Sequence, residues 1–171
     1  MGVVTRRSFA STFHPRGSDD DKPTPPPLYH ILVNELGYID VCLDPKKFDA
    51  LKQPWPNHAY CNPPWSIKYK FVDAAVRANK EGKEVLMFIP FDPSTDWFHK
   101  LYSRNPLIIF FLEPPEHYHY PVMLVHLASY PKPMVAFVKD LSEVKKLLPS
   151  LPASSKPSAP GTSKNLLVAE G

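Results

Sequence analysis

The chain has 171 residues, 43% of them hydrophobic, which suffices for one domain with a buried core. Its net charge of +3 permits nucleic-acid binding without the concentrated basic footprint that argues for it, and no run approaches the ~18 apolar residues of a helical membrane span. The 22 prolines, about two and a half times average usage, cluster at 23–27, 54–64, 106–133 and in the last twenty-odd residues, and exclude helix interiors from those stretches.

In chain order, residues 1–23 read as a disordered leader; three arginines and no acid in the first seventeen residues are also loosely like a transit peptide. Leu28, Ile31, Leu32, Val33 and Leu36 suit a short amphipathic helix stopped by Gly37. Tyr38–Leu43 reads as a buried strand, and His58–Cys61 as a second one running into Asn62-Pro63-Pro64. Phe71–Lys80 has the spacing of a helix packed on a sheet, ended by Gly82. Glu84–Ile89 is a continuous apolar run bounded by Pro90, the pattern of a covered parallel strand. Ser94 is the expected N-cap of a helix reaching about Arg104, with Asp96 in its first turn. Three further apolar runs follow at 107–112, 122–127 and 134–138, then a terminal helix at 141–148. Residues 149–171 are a Pro/Ser-rich, disordered tail, which leaves 24–148 as the domain.

Strands alternating with helices predict α/β layers around a mainly parallel sheet with flanking helices. Ligands in such sheets bind beyond the carboxyl ends of strands, which points to Asp40–Asp44, Asn62–Trp65 and Pro90–Ser94. Cys42 and Cys61, with no secretory signal, read as buried free thiols of an intracellular, reducing compartment.

The segment with the most chemistry is Asn62-Pro63-Pro64-Trp65. Each proline locks its own φ and restrains the residue before it, so the turn is extended and rigid and its carbonyls are left to face a ligand. The Asn62 side chain adds an amide oxygen that accepts from an amine, and Trp65 adds a π-face. Such a set suits the exocyclic amine of a flipped base. A proline-stiffened loop with Asn capping and Trp packing would look the same in isolation.

The flanks add a resemblance. Tyr60-Cys61-Asn62-Pro63-Pro64-Trp65-Ser66 is similar to the motif of the phage Dam-like DNA N-6-adenine methyltransferase family. Thr24-Pro25-Pro26-Pro27-Leu28-Tyr29 resembles the start of that family's first helix, and Asp40-Val41-Cys42 the end of its first strand. Asp49-Ala50-Leu51 through Trp55 resembles the stretch before its catalytic strand. Ile89-Pro90 with Thr95 and Trp97-Phe98-His99, and then Tyr130-Pro131-Lys132-Pro133-Met134-Val135, complete the order over about 24–138. The resemblance implies a compact, Rossmann-like AdoMet-methyltransferase fold acting on adenine in DNA, with S-adenosyl-L-methionine as cofactor and no metal or membrane partner. It implies Asn62, Pro63, Pro64 and Trp65 as catalytic residues, the amine held by Asn62 and the Pro63 carbonyl and the base stacked on Trp65. It implies Thr24, Asp40, Asp49 and Asn62 at the cofactor. Asp40 alternatively caps local backbone, Trp97-Phe98-His99 is core packing, and Lys68 and Lys70 either meet phosphates or are solvated.

The sequence also departs from the family. Only eight residues separate Asp40 from Asp49, and Asp92 and the Glu113-Pro114-Pro115-Glu116 segment place acids where neutral or basic groups are usual. These features fit a second reading, a catalytically impaired relative of viral or mobile-element origin serving as a nucleic-acid- or protein-binding module.

Overall fold

The computed structural model describes residues 20, 22–113, 115, 118 and 121–148, so the leader up to residue 19 and the tail from 149 lie outside the described residues. Among the described residues six strands form one sheet: β1 (Ile39–Asp40), β2 (His58–Cys61), β3 (Glu84–Pro90), β4 (Leu107–Phe111), β5 (Val122–Leu127) and β6 (Met134–Val138). Their order across the sheet is β1-β2-β3-β5-β4-β6. The β1–β2, β2–β3 and β4–β6 ladders are parallel, whereas β5 pairs antiparallel with both β3 and β4. The sheet is therefore mixed rather than mainly parallel. The apolar runs conceal this, because a strand covered on both faces is apolar throughout whichever way it points.

Both faces of the inner strands are covered, and their alternate residues sort between two cores, whereas the edge strand β6 leaves Val135 and Phe137 exposed. Val85, Met87 and Ile89 of β3, with Met123, Val125 and Leu127 of β5, join one core under α2 (Lys68–Lys80) and α3 (Asp96–Tyr102). Leu86 and Phe88, with Val122 and Leu124, join the other, which holds α1 (Pro26–Tyr29), a π-helix at His30–Glu35 and α4 (Val144–Leu147).

Local chemistry adjusts several expected boundaries. The first helix begins at Pro26, where a missing N–H costs nothing, and passes into the π-helix before Leu36. Both glycine stops hold: Gly37, at φ +80°, follows the π-helix and its cap Leu36, and Gly82, at φ +88°, follows α2. The expected strand at 38–43 is only Ile39–Asp40, because Asp40 Oδ1 accepts from the Cys42 amide at 2.9 Å and turns the chain out of the sheet. Thr95, not Ser94, caps α3, its Oγ1 accepting from the Phe98 amide at 3.4 Å; Ser94 instead donates to Asp92 Oδ1. The last expected helix is a 3₁₀ turn at Leu141–Glu143 followed by α4.

Candidate active site

The carboxyl ends of β1 and β2 lie side by side in the register Asp40↔Tyr60. They open into a cleft of about 640 Å³ whose walls include Lys22, Thr24, Tyr29, Asp40, Cys42 and Asn62. Residues 20 and 22–25 lie across this end of the sheet and are tied down at several points. The Asp20 carboxylate accepts from the Ser66 amide at 2.7 Å and from its hydroxyl, Lys22 O accepts from Asn62 at 3.1 Å, and Pro23 O accepts from the Tyr118 phenol at 3.0 Å. Sequence reasoning assigned 20–23 to the leader. The signal that points the other way is the Thr24-Pro25-Pro26 segment beside it, which stiffens the chain just where it crosses the cleft.

Asn62 follows β2 directly, so the strand end sets its position. Its Nδ2 donates to Lys22 O at 3.1 Å and to Thr24 Oγ1 at 3.3 Å. With both amide hydrogens directed to the protein, Oδ1 is the atom left to accept from a ligand. Thr24 is itself 6% exposed and its hydroxyl lies 2.5 Å from the Tyr60 phenol. Burial pushes the Tyr60 phenol well above its ordinary value, so it remains protonated in this chain of polar groups. Tyr60 was visible in the sequence only as a flank of the motif.

Asp40 forms the facing wall. Burial pushes its carboxyl above the ordinary value, against hydrogen bonds from the Cys42 amide and the Tyr29 phenol that favour the charged form. The carboxylate thus has the backbone-capping role and also lines the cleft. The structure brings Thr24, Asp40 and Asn62 together, and leaves Asp49 out of the cleft wall. The Asp49 carboxylate accepts from the Leu51 amide at 3.0 Å and pairs with Lys52 at 3.4 Å, fixing its own loop.

Trp65 opens a 3₁₀ turn at Trp65–Ile67 after Pro63 and Pro64 and is 1% exposed. Its ring lies against Tyr118, 5.4 Å between centroids, so it is a core residue here and not an open stacking surface. Lys68 is likewise turned inward: Nζ donates to Trp65 O at 3.0 Å and sits 5.4 Å from the Trp97 ring. Burial lowers its ammonium, while Asp92 and Asp20 act the other way. Lys70 and Tyr69 are exposed. Trp97 and Phe98 are packed in the core, as expected, and His99 is exposed with Nε2 at 2.9 Å from Pro93 O. Among the described residues no group of three or more His, Cys, Asp or Glu could hold a metal ion, and no helix is long and apolar enough to cross a membrane.

The residues that build this cleft fall inside a stretch, 12–114, that matches the family model described as DNA N-6-adenine-methyltransferase (Dam). The resemblance at Tyr130–Val135 lies beyond that stretch. No curated protein and no solved structure matches the chain. The match takes in more than half of the 171 residues, from ahead of the cleft-crossing segment through Asn62-Pro63-Pro64-Trp65 to the end of β4. The chain belongs to the DNA N-6-adenine-methyltransferase (Dam) family.

Proposed function

We propose that the protein transfers a methyl group from AdoMet to the exocyclic amine of adenine in DNA, at the cleft beyond β1 and β2. The observation that carries this reading is the fixed amide of Asn62, whose Nδ2 is committed to Lys22 O and Thr24 Oγ1 and whose Oδ1 is thereby left as an acceptor. In the reaction Asn62 Oδ1 and the Pro63 carbonyl accept the two amine hydrogens of a flipped adenine. They hold the nitrogen in place with its lone pair free to react.

The cleft suits the cofactor. Its volume of about 640 Å³ falls among small-molecule sites. Asp20 and Asp40 offer negative charge to a ligand bearing an ammonium and a sulfonium, and Pro26 and Leu43 offer apolar wall. When bound, AdoMet supplies an electrophilic methyl group, so the chain's own work is binding, orientation and exclusion of water. Thr24 and Asp40 are the side chains assigned to hold the cofactor beside Asn62; Asp49 acts through the loop that it orders. Trp65, with Pro63 and Pro64, braces the turn that carries the amine acceptors, and it can stack on a base only if that turn opens.

A calorimetric titration with AdoMet tests the reading first: saturable heat is expected, and none at millimolar ligand would sink it. Asn62→Ala should then lower kcat on adenine-containing DNA by about a hundredfold or more, with AdoMet affinity nearly intact. A second reading, a binding module without turnover, draws support from the two-residue β1 and the eight residues between Asp40 and Asp49. DNA binding with no heat from AdoMet is its signature.

A further inference from the structure

We propose that Cys42 and Cys61 form a reversible intramolecular disulfide, made by exchange with a low-molecular-weight disulfide of the glutathione class, which links the two walls of the cleft. The geometry is already close to that product. The two sulfurs lie 3.0 Å apart, nearer than an ordinary non-bonded contact, and both residues are free thiols. Cys61 is the last residue of β2, one step beyond Tyr60, and Cys42 lies two residues beyond its partner Asp40, in the turn that leaves β1. A bond of about 2.05 Å needs the sulfurs to move by roughly one ångström, within the reach of side-chain rotation.

The surroundings give the two thiols different parts. Cys42 is half-buried and lines the cleft, so an incoming disulfide can meet it; Cys61 is 0% exposed and is reached only through Cys42. Burial and the neighbouring Cys42 push the Cys61 thiol well above its ordinary value, so it stays protonated until its neighbour has reacted. The Cys42 thiolate attacks glutathione disulfide, forming a mixed disulfide and releasing one glutathione. Cys61 then loses its proton and attacks the Cys42 sulfur, releasing the second glutathione. Two protein thiols are oxidised, one glutathione disulfide is reduced to two thiols, and the two protons pass to them.

The bond bears on the cleft because each cysteine adjoins one of its polar groups. Cys61 precedes Asn62 in the chain, and the Cys42 amide donates to Asp40 at 2.9 Å. Oxidation therefore ties the Asp40 wall to the Asn62 wall and restricts their relative movement. This effect on ligand binding rests on the cleft being the AdoMet site; the bond itself does not.

The test uses the full chain incubated natively with glutathione disulfide and read by intact mass. The expected product is monomeric, lighter by two hydrogen atoms, and restored by dithiothreitol, with a peptide map joining Cys42 to Cys61. Cys61→Ser should stop at one glutathione adduct on Cys42, and Cys42→Ser should take up none. Thiols that remain reduced in the folded wild type, or crosslinked dimers in place of the internal bond, overturn the proposal. Calorimetry with AdoMet on the two forms should show at least a tenfold change in affinity, and equal affinities overturn the link to the cleft. If the reduced protein gives no heat, the reading of the cleft as an AdoMet site fails while the mass result still decides the disulfide.

Discussion

Asn62 takes its orientation from Thr24, and Thr24 in turn shares its hydroxyl with the buried phenol of Tyr60. Thr24→Val keeps the shape of the side chain and removes the shared atom, taking that partner from the buried Tyr60 phenol and leaving Asn62 Nδ2 with Lys22 O alone. The expected cost is about 1–3 kcal/mol in urea unfolding, with kcat falling more than AdoMet affinity. A variant with normal kcat would mean that Asn62 is held by Lys22 alone. Trp65 lies at the other end of the same turn. Its burial against Tyr118 predicts a loss of roughly 3–5 kcal/mol for Trp65→Ala, whereas a solvent-facing stacking residue would cost little. Asn62 was legible in the sequence because a polar side chain between an apolar strand and two prolines has few structural uses. The burial of Trp65 and Lys68 was not, since an aromatic ring serves a pocket or a core equally well and a lysine stem packs readily against apolar surface.

At the scale of elements, end chemistry decides where the helices run. Thr95→Ala removes the side-chain acceptor for the Phe98 amide and should cost about 1 kcal/mol, while Ser94→Ala, outside the helix, should cost less; equal costs would show that the cap is shared. Asp92, an acid where the family more often has a basic group, is accounted for by its turn, since its carboxylate accepts from the Ser94 hydroxyl at 2.7 Å and its carbonyl from Thr95. The positions of β2 to β6 were readable from the apolar runs: the inner strands are covered on both faces, and the edge strand β6 is apolar even at its exposed positions Val135 and Phe137. Strand direction was not, since it depends on pairing partners distant in sequence. The shortness of β1 was hidden as well. Val41 and Cys42 are apolar enough to continue a strand, and only the Asp40 carboxylate folding back on the Cys42 amide ends it.

Across the whole molecule, the amino end of β3 carries a polar cluster, at the opposite end of the parallel strands from the cleft. Glu84 lies 2.9 Å from His58 Nδ1 and 2.5 Å from His126 Nε2, and accepts from the Tyr38 phenol at 2.8 Å; His58 is stacked on Tyr38. Burial raises the Glu84 carboxyl, but the hydrogen bonds and charges of His126 and His58 outweigh it and hold the group well below the usual carboxylate range. A folded-state value below the unfolded one stabilises the fold above about pH 4.3, the ordinary value, and that contribution fades as pH falls further. The melting temperature of the wild type should therefore drop more steeply between pH 5 and 3, in round figures, than that of Glu84→Gln. Parallel profiles would remove Glu84 from the account of acid stability.

The antiparallel β5 has a further consequence, for the birth of the protein. Among the described residues it is the sole link in the sheet between the β1–β2–β3 half and the β4–β6 half, yet it comes after both β3 and β4 in the chain. A nascent chain that has emerged through residue 114, the end of the family match, carries β3 with one edge open and β4 with no neighbour on either side. Such open apolar edges invite pairing with other chains. Completion of the sheet must wait until β5 leaves the ribosome, and its pairing with β3 joins segments well separated in sequence, which slows folding. A fragment ending at Pro121 should accumulate as aggregate, whereas one ending at Leu148 should be recovered as soluble monomer in a sedimentation assay.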